Sequence, residues 1–405
     1  MKRKSFISVL ILAFIVMTVS WSLGKEPEVG RTYTAKDVAE IKEYLPPTIY
    51  HMMASGELGD DGQIRVDPTE NYIAKGLNKF WYEATEANKG KAKIGPKGEL
   101  VNWVSGFPFG MEPKSGAEIA WNIDLHYRGD DRINDWELPV FLKTKIEKVN
   151  MAVCKFLYMS SKWGNGRRFF CGDIPNPQDI QEYYYVGLYA PEEVNGLQTL
   201  EIRYYAPDKP DDMWAYVPSM RRIRRMSTAQ RMDQWAGTDS TYDDFDGWHG
   251  KSPDWNINIV GKKKMLIPRN LTEEATPAGR TKIPWTFIPL PMQFMDVYVV
   301  EFIPKDPNHI YSKGVGLIDP EVFEVPVREN YDKRGNLWKF HGGRFEFKTK
   351  RFECDGKDYF TYFQTGAYHV DIQRTHGLCA IAPAKLNFGM TESDFTVEAM
   401  RKWAR

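Results

Sequence analysis

The chain has 405 residues, and its 54 basic side chains are matched by 54 acidic ones, so it has no formal net charge. Proteins that coat nucleic acid are usually strongly basic, so this balance argues against that class. The length is large for one domain and would allow two.

Residues 1–24 have the layout of a secretory signal peptide. Basic residues at positions 2–4 precede an apolar run at about 6–19, and small residues follow that run. The run is shorter than the roughly 20 residues that a comfortable membrane span needs. These features predict an exported, soluble mature protein, and an uncleaved N-terminal anchor is the alternative.

Capping patterns predict three short helices. In each pattern a serine or threonine precedes an acidic residue by three positions, so that their side chains can satisfy the first free backbone amides of a helix. The third of these helices would end the chain. The pairs are Thr34 with Asp37, Ser115 with Glu118, and Thr391 with Asp394.

The centre of the chain predicts an antiparallel sheet, because short runs of aromatic and branched residues alternate with loops of Gly, Pro, Asn and Asp. Leu200, Ile202 and Tyr204 occupy alternate positions, so one face of their strand is apolar. The strand that contains Trp214 and Tyr216 is apolar on both faces and must be covered on both sides. The cover could be core, a helix or a bound apolar ligand. The predicted strand runs are "EKVNMAVCKFLYMS", "QEYYYVGLYA", "LQTLEIRYYA", "DMWAYVP" and "MDVYVVEFIP".

A cluster of arginines directly follows the strand that contains Trp214 and Tyr216, and an acidic run comes about a dozen residues later. One interpretation is that bidentate pairs between the two groups tie the acidic run to the strand. The other is that some arginines hold an anionic head group at the mouth of an apolar cavity. Both can hold for different arginines. The residues are Arg221, Arg222, Arg224 and Arg225, then Asp239, Asp243, Asp244 and Asp246.

The chain contains four cysteines, Cys154, Cys171, Cys354 and Cys379. An exported protein meets an oxidising compartment, so disulfides are permitted. Closeness in sequence favours the pairs Cys154–Cys171 and Cys354–Cys379. The alternative is four free thiols that are buried as small apolar groups.

No catalytic or metal-binding motif stands out in the sequence. His369, Asp371 and His376 are the nearest approach to a metal-ligand cluster, but the pattern favours a surface strand followed by a turn. The sequence has neither an HExxH motif nor a GxSxG nucleophile elbow. We therefore predict that the protein is not an enzyme and that it needs no cofactor or metal.

Six segments, taken together and in this order, resemble the family of unknown function DUF1329. The resemblance extends from about residue 100 to the C-terminus, and the stretch before it matches poorly. We therefore predict a signal peptide at 1–24, a helical or irregular extension at 25–100 and one domain at 101–405. The segments are "SGFPFGMEPKSGAEIAWN", "MWAYVPSMRRIRRM", "STYDDFDGWHGKSPDWNINIVGKKKMLIPRN", "VYVVEFIPKDPNHIYSKGVGLIDPEVF", "YDKRGNLWK" and "LNFGMTESDFT".

The resemblance implies a periplasmic protein with a fold similar to that of the outer-membrane lipoprotein carriers LolA and LolB. We therefore predict an α+β fold, in which a large curved antiparallel half-barrel has helices packed on its concave face around an apolar cavity. The predicted function is a non-catalytic carrier or chaperone for a lipid or other hydrophobic molecule. The predicted ligand-binding residues are Leu200, Ile202, Tyr204, Trp214, Tyr216, Arg221, Arg222, Arg224 and Arg225.

Two further hypotheses belong to other classes. The resemblance also suggests an adaptor that links an RND-type pump to an outer-membrane barrel protein. The third is a hydrolase of the envelope, for which Asp239 and Asp244 are the residues to test. The carrier hypothesis requires an oily hollow that is open enough to admit a hydrocarbon chain.

Overall fold

The computed structural model describes residues 24–56, 62–143, 145–159, 169–271 and 290–403. The predicted signal peptide lies outside the described residues, apart from its last residue, Gly24. In the described ranges, no helix has the length and apolar character needed to cross a membrane.

Strands dominate the described part of the chain. Their bounds follow from the runs of aromatic and branched residues noted above, and the predicted central strands correspond to β6, β7, β8, β9 and β12. The strands are β1 (Thr32–Thr34), β2 (Gln63–Asp67), β3 (Lys93–Ile94), β4 (Leu100–Val101), β5 (Asp131–Leu142), β6 (Lys145–Tyr158), β7 (Ile180–Ala190), β8 (Gln198–Tyr204), β9 (Asp212–Val217), β10 (Arg222–Met226), β11 (Trp255–Pro268), β12 (Leu290–Pro304), β13 (Lys313–Ile318), β14 (Val327–Tyr331), β15 (Leu337–Phe352), β16 (Lys357–Asp371), β17 (His376–Ile381) and β18 (Ala384–Leu386).

Helices are short. The α-helices are α1 (Pro47–Ser55), α2 (Lys79–Ala87), α3 (Gly116–Asp124) and α4 (Val397–Trp403). The described 3-10 helices are Val38–Tyr44, Pro218–Met220, Thr228–Met232, Trp235–Gly237, Tyr242–Gly247, Ser252–Asp254 and Glu392–Phe395.

Sixteen strands form a single sheet, with the order β1-β2-β12-β13-β14-β15-β16-β17-β5-β6-β7-β8-β9-β10. In addition, β11 pairs with β12, and β18 pairs with β5. The pairing of β2 with β12 is parallel, whereas the other pairs are antiparallel. In the described ranges β10 does not pair with the strands at the other end of this path, so the sheet stays open. This confirms the predicted α+β fold with a large, curved antiparallel sheet.

Opposed residues of neighbouring strands project to the same face of a sheet, so the register defines two faces. One of these faces, which we call the inner face, can be followed from strand to strand across β14 to β17 and β5 to β8. Its markers are Arg328, His341, His369, Leu378, Val140, Arg132, Phe156, Tyr184 and Glu201.

Helices and chain termini cover the sheet. At the β12 end of the inner face, Trp81 of α2 and Ile119 of α3 share a hydrophobic cluster with Phe302. On the opposite face, residues 38–53 cover the other end of the sheet, and Phe395 contacts the ring of Tyr183 with 5.5 Å between centroids. Both faces of the central strands β7 and β8 are therefore covered.

Two of the three predicted caps are present, at Ser115 and Thr391. The Ser115 hydroxyl accepts a hydrogen bond from the Glu118 amide at 3.2 Å and begins α3. A capping box joins Thr391 to Asp394 at the start of the 3-10 helix that precedes α4. The first predicted helix, which follows Asp37, is a 3-10 helix and not an α-helix.

The disulfide differs from both predicted arrangements. Cys171 is bonded to Cys354 across 183 residues, with 5.0 Å between their Cα atoms, and Cys154 and Cys379 are free and buried. The preference for neighbours in sequence is therefore wrong.

Asp130 and Asn387 explain why two distant cysteines meet. The carboxylate of Asp130 accepts a hydrogen bond from the Cys171 amide at 2.9 Å, and its own amide donates to the side chain of Asn387 at 2.6 Å. The backbone carbonyl of Asn387 in turn accepts from the Cys354 amide at 2.8 Å. These bonds hold the two cysteine-bearing loops together.

Candidate functional site

Residues 235–249, which we call the inner segment, lie against the inner face. The segment folds on itself, because the Trp235 amide donates to the Ser240 carbonyl at 2.9 Å and the His249 amide donates to the Asp243 carbonyl at 3.0 Å. Within the described chain, no backbone-to-backbone hydrogen bond joins the segment to a strand. Side chains alone therefore hold it against the sheet.

The segment turns sharply where its carboxylates are placed. Asp244 caps the turn through hydrogen bonds from the Thr241 amide at 2.9 Å and the Thr241 hydroxyl at 2.8 Å. Asp246 and Gly247 have left-handed backbone angles, with φ of 50° and 82°. A Cβ atom on Gly247 would lie 2.4 Å from the Val325 carbonyl oxygen, so this close approach requires glycine.

Asp246 lies between two buried guanidinium groups. Its carboxylate is 3.1 Å from the Arg128 side chain and 3.5 Å from that of Arg132. Burial alone would raise the pKa of Asp246, but Arg132 and Arg128 together lower it below its ordinary value. The Arg132 guanidinium also lies 4.1 Å from the ring centre of Phe156.

Asp244 makes a second buried ion pair. Its carboxylate contacts the Arg328 side chain, and neither side chain has any exposed surface. The Tyr311 hydroxyl donates to the same carboxylate at 2.8 Å. An uncompensated charge at such depth would be very costly, so the pair has to form for the segment to dock.

Asp243 connects the segment to β8. Arg231 donates to the Asp243 carboxylate at 2.8 Å and also contacts Glu201. Arg203 of β8 lies 3.5 Å from Glu201 and donates to the His249 carbonyl at 2.7 Å. Burial would raise the pKa of Asp243, but Arg231 and His309 together outweigh burial and lower this pKa to about 2.

Two histidines lie beneath the segment. The Nδ1 atoms of His341 and His369 are 2.7 Å apart, so the ring of one donates to the other. Burial lowers the pKa of His369 to about 4 and that of His341 well below its ordinary value. The pair is therefore neutral at neutral pH.

Replacing His369 with glutamine tests this pair. Unfolded histidine has a pKa of about 6.5, so the unfolded chain takes up a proton before folded His369 does, and acid destabilises the wild type. Between about pH 6.5 and pH 4, the wild type should lose about 3 kcal/mol of unfolding free energy relative to His369→Gln.

The measurement is urea unfolding of both proteins at several pH values in this window. The difference between the curves matters, because burial raises the pKa of Asp124 to about 6 and makes that residue act in the opposite direction. Parallel curves would show that His369 is not held neutral.

The apolar part of the inner face is filled by the segment. Trp235 and Phe245 pack there against the strands, and Phe245 lies 5.5 Å from the Tyr184 ring. The cavity that remains between segment and sheet has a volume of about 40 Å³, whereas small-molecule sites usually have about 300–1,000 Å³. The expected open, oily hollow is therefore absent here, because the protein's own side chains occupy it.

A sequence profile described as "Protein of unknown function (DUF1329)" matches residues 32–401. The chain belongs to the DUF1329 family. The match begins within the stretch 25–100, where the sequence resemblance to the family is weak.

Known proteins of similar sequence or structure have low sequence identity to this DUF1329 chain. Uncharacterized protein PA3922 of Pseudomonas aeruginosa is 23% identical over 385 residues, which cover 92% of this chain and 81% of that protein. A putative outer membrane lipoprotein-sorting protein domain from Vibrio parahaemolyticus has a TM-score of 0.50 at 18% identity, covering 71% of this chain and 98% of that one. A DUF1329 family protein from Desulfovibrio piger has a TM-score of 0.49 at 17% identity, covering 70% and 97%. The Vibrio domain shows that the fold is shared.

The five predicted apolar ligand residues of this DUF1329 chain lie on the opposite face. Glu201 and Arg203 take the alternate positions of β8 on the inner face, so the register turns these five side chains to the other face, where Phe395 contacts Tyr183. Contrary to expectation, these residues therefore do not line a central hollow on the inner face. Their role in ligand binding stays a prediction. The five are Leu200, Ile202, Tyr204, Trp214 and Tyr216.

The arginine cluster lies on the exposed edge of the sheet, at β10 and the turn before it. Arg225 pairs with Asp212. In the described part of the chain the other three, Arg221, Arg222 and Arg224, form no ion pair, and none of the four reaches the acidic run. The predicted pairing between cluster and run is wrong, because other arginines pair with Asp243, Asp244 and Asp246, and His376 pairs with Asp239. Head-group binding by the four stays a prediction.

The three residues considered for a metal site each have a different partner. His369 contacts His341, Asp371 accepts a hydrogen bond from the Trp338 indole at 3.0 Å, and His376 contacts Asp239. The residues that sequence reasoning missed are Arg128, Arg132, Arg231 and Arg328.

Proposed function

We propose that this protein is a non-catalytic periplasmic carrier that shelters a lipid or another hydrophobic molecule on the inner face. The guest takes the place of the inner segment, residues 235–249. The observation that carries this proposal is the attachment of that aromatic segment, which covers the inner face without a backbone-to-backbone hydrogen bond to the described strands. Because the segment fills the hollow, a guest can enter only when the segment opens as a local unit.

The energies are of comparable size. Burial of an acyl chain contributes about 0.8 kcal/mol per methylene, so ten methylenes contribute about 8 kcal/mol before ordering costs. Releasing the four aromatic side chains of the segment, Trp235, Tyr242, Phe245 and Trp248, costs about 1.5–3 kcal/mol each by the same scale. Burial of a long acyl chain is therefore similar in size to the loss of these aromatic contacts, and the segment's ion pairs remain to be offset.

Two further features support a carrier. The predicted signal peptide directs the chain out of the cytoplasm, and the fold is shared with a domain named as a putative lipoprotein-sorting protein. The carboxylates that an envelope hydrolase would use are engaged, since Asp244 pairs with Arg328 and Asp239 with His376. That engagement favours binding over acid–base catalysis.

The test is lipid extraction of the protein purified from the cell envelope, followed by mass spectrometry, together with uptake of a fluorescent fatty acid. We expect a co-purifying lipid and saturable uptake. Repeated preparations without lipid or uptake would refute the carrier function, and a stoichiometric crosslinked protein partner would then favour the adaptor.

Phe245→Ala and Phe395→Ala form a matched pair of variants for this assay. Phe245 belongs to the inner segment, so its truncation should loosen the segment and raise fatty-acid uptake several-fold. Phe395 packs on the opposite face, so its truncation should lower stability without raising uptake. Equal uptake by the two variants would mean that the guest does not use the inner face.

A further inference from the structure

We propose that the guest carries an anionic head group, a carboxylate or a phosphate, which replaces Asp246 at Arg132 and Asp244 at Arg328. This inference rests on the proposed carrier function and specifies its ligand. It concerns the inner-face arginines, and not the exposed cluster at β10.

Arg132 and Arg328 each rely on the inner segment for a carboxylate partner. Among the described residues, the carboxylate partner of Arg132 is Asp246 and that of Arg328 is Asp244. Both arginines are at least 98% buried. When the segment leaves, the two guanidinium groups lose their counter-ions. A neutral guest could not supply the missing negative charges.

The donors around these carboxylates are arranged as an anion site. Arg328 and the Tyr311 hydroxyl both donate to Asp244, and Arg128 and Arg132 surround Asp246. The donors belong to strands and loops outside the segment, so they stay in place when it leaves. Guanidinium groups bind carboxylate and phosphate oxygens through paired hydrogen bonds.

An apolar surface continues directly from these charges. The Arg132 guanidinium lies over the Phe156 ring, which stacks on Tyr184 with 4.4 Å between centroids. Both rings line the small cavity that Trp235 and Phe245 close. The segment thus presents aromatic groups and carboxylates together, and a guest that replaces both kinds of contact is an amphiphile with an anionic head.

The test compares dodecanoic acid with dodecanol, by calorimetry on the full mature protein at pH 7.5. The two share a hydrocarbon chain and differ in head-group charge. We expect the acid to bind at least about tenfold more tightly than the alcohol. Equal affinities would overturn the head-group inference and leave the carrier function standing, whereas binding of neither would refute the carrier function.

Inorganic phosphate is the third ligand. It has the charge but no hydrocarbon chain, so we expect it to bind far more weakly than dodecanoic acid. Phosphate that binds as tightly as the acid would show a site for a free anion. That result would overturn the inference that the ligand is an amphiphile.

The variant Asp246→Asn removes the segment's carboxylate from Arg132 and keeps a residue that tolerates the left-handed φ of 50°. We expect the preference for acid over alcohol to rise by about tenfold. Asp319→Asn is the control, since Asp319 pairs with buried Arg269 away from the inner segment, and there the preference should not change. A preference that is unchanged in Asp246→Asn would contradict the inference, and if that variant does not fold, the wild-type comparison decides.

Discussion

Replacing Arg328 with methionine is expected to lower the free energy of unfolding by about 3–5 kcal/mol. The substitution leaves Asp244 fully buried without its counter-ion. The Tyr311 hydroxyl still donates one hydrogen bond, which does not compensate a charge at that depth. Denaturant unfolding followed by circular dichroism measures the change.

The double variant Arg328→Met with Asp244→Asn should recover part of this loss, because it removes both charges. Arg225→Met is the control, since Arg225 is 70% exposed and pairs with Asp212 at the surface. Surface pairs contribute about 0–1 kcal/mol, so this variant should be nearly as stable as the wild type. A small, equal effect of Arg328→Met and Arg225→Met would contradict the buried ion pair.

Removing the disulfide by Cys171→Ala with Cys354→Ala is expected to cost about 2–5 kcal/mol of unfolding free energy. The bond closes a loop of 183 residues, and a cross-link over a long loop removes much conformational entropy from the unfolded chain. Thermal and denaturant unfolding under oxidising conditions measure the loss.

The other two cysteines supply the control. Because Cys154 and Cys379 are free, a Cys154→Ala, Cys379→Ala variant should keep the disulfide and should lose about the same stability as the wild type on reduction. Peptide mapping that finds Cys154 bonded to Cys171 would contradict the pairing.

The sheet could be predicted from sequence because its signals are local. Alternating apolar residues fix strand faces, and a cap such as Ser115 with Glu118 needs only four consecutive residues. The same locality explains the error over the cysteines, since Cys171 and Cys354 meet only through loops joined by Asp130 and Asn387.

The candidate site could not be predicted because its charged residues have the pattern of a solvent-exposed face. Glu201 and Arg203 alternate with apolar residues on β8, which usually marks a half-exposed strand. Here the inner segment covers them, and its partners are distant in sequence, as with Arg328 and Asp244, which are 84 residues apart. The acidic run is evident in the sequence, but the arginine cluster at 221–225 lies nearer to it in sequence than Arg328 does and is the more obvious partner.

A guest and the inner segment should compete for the inner face. Hydrogen exchange of residues 235–249, measured with and without dodecanoic acid, tests this competition. Bound fatty acid should speed exchange of the segment's amides while the amides of β6 to β8 stay protected. Fatty acid that binds and leaves the segment's exchange unchanged or slower would contradict it.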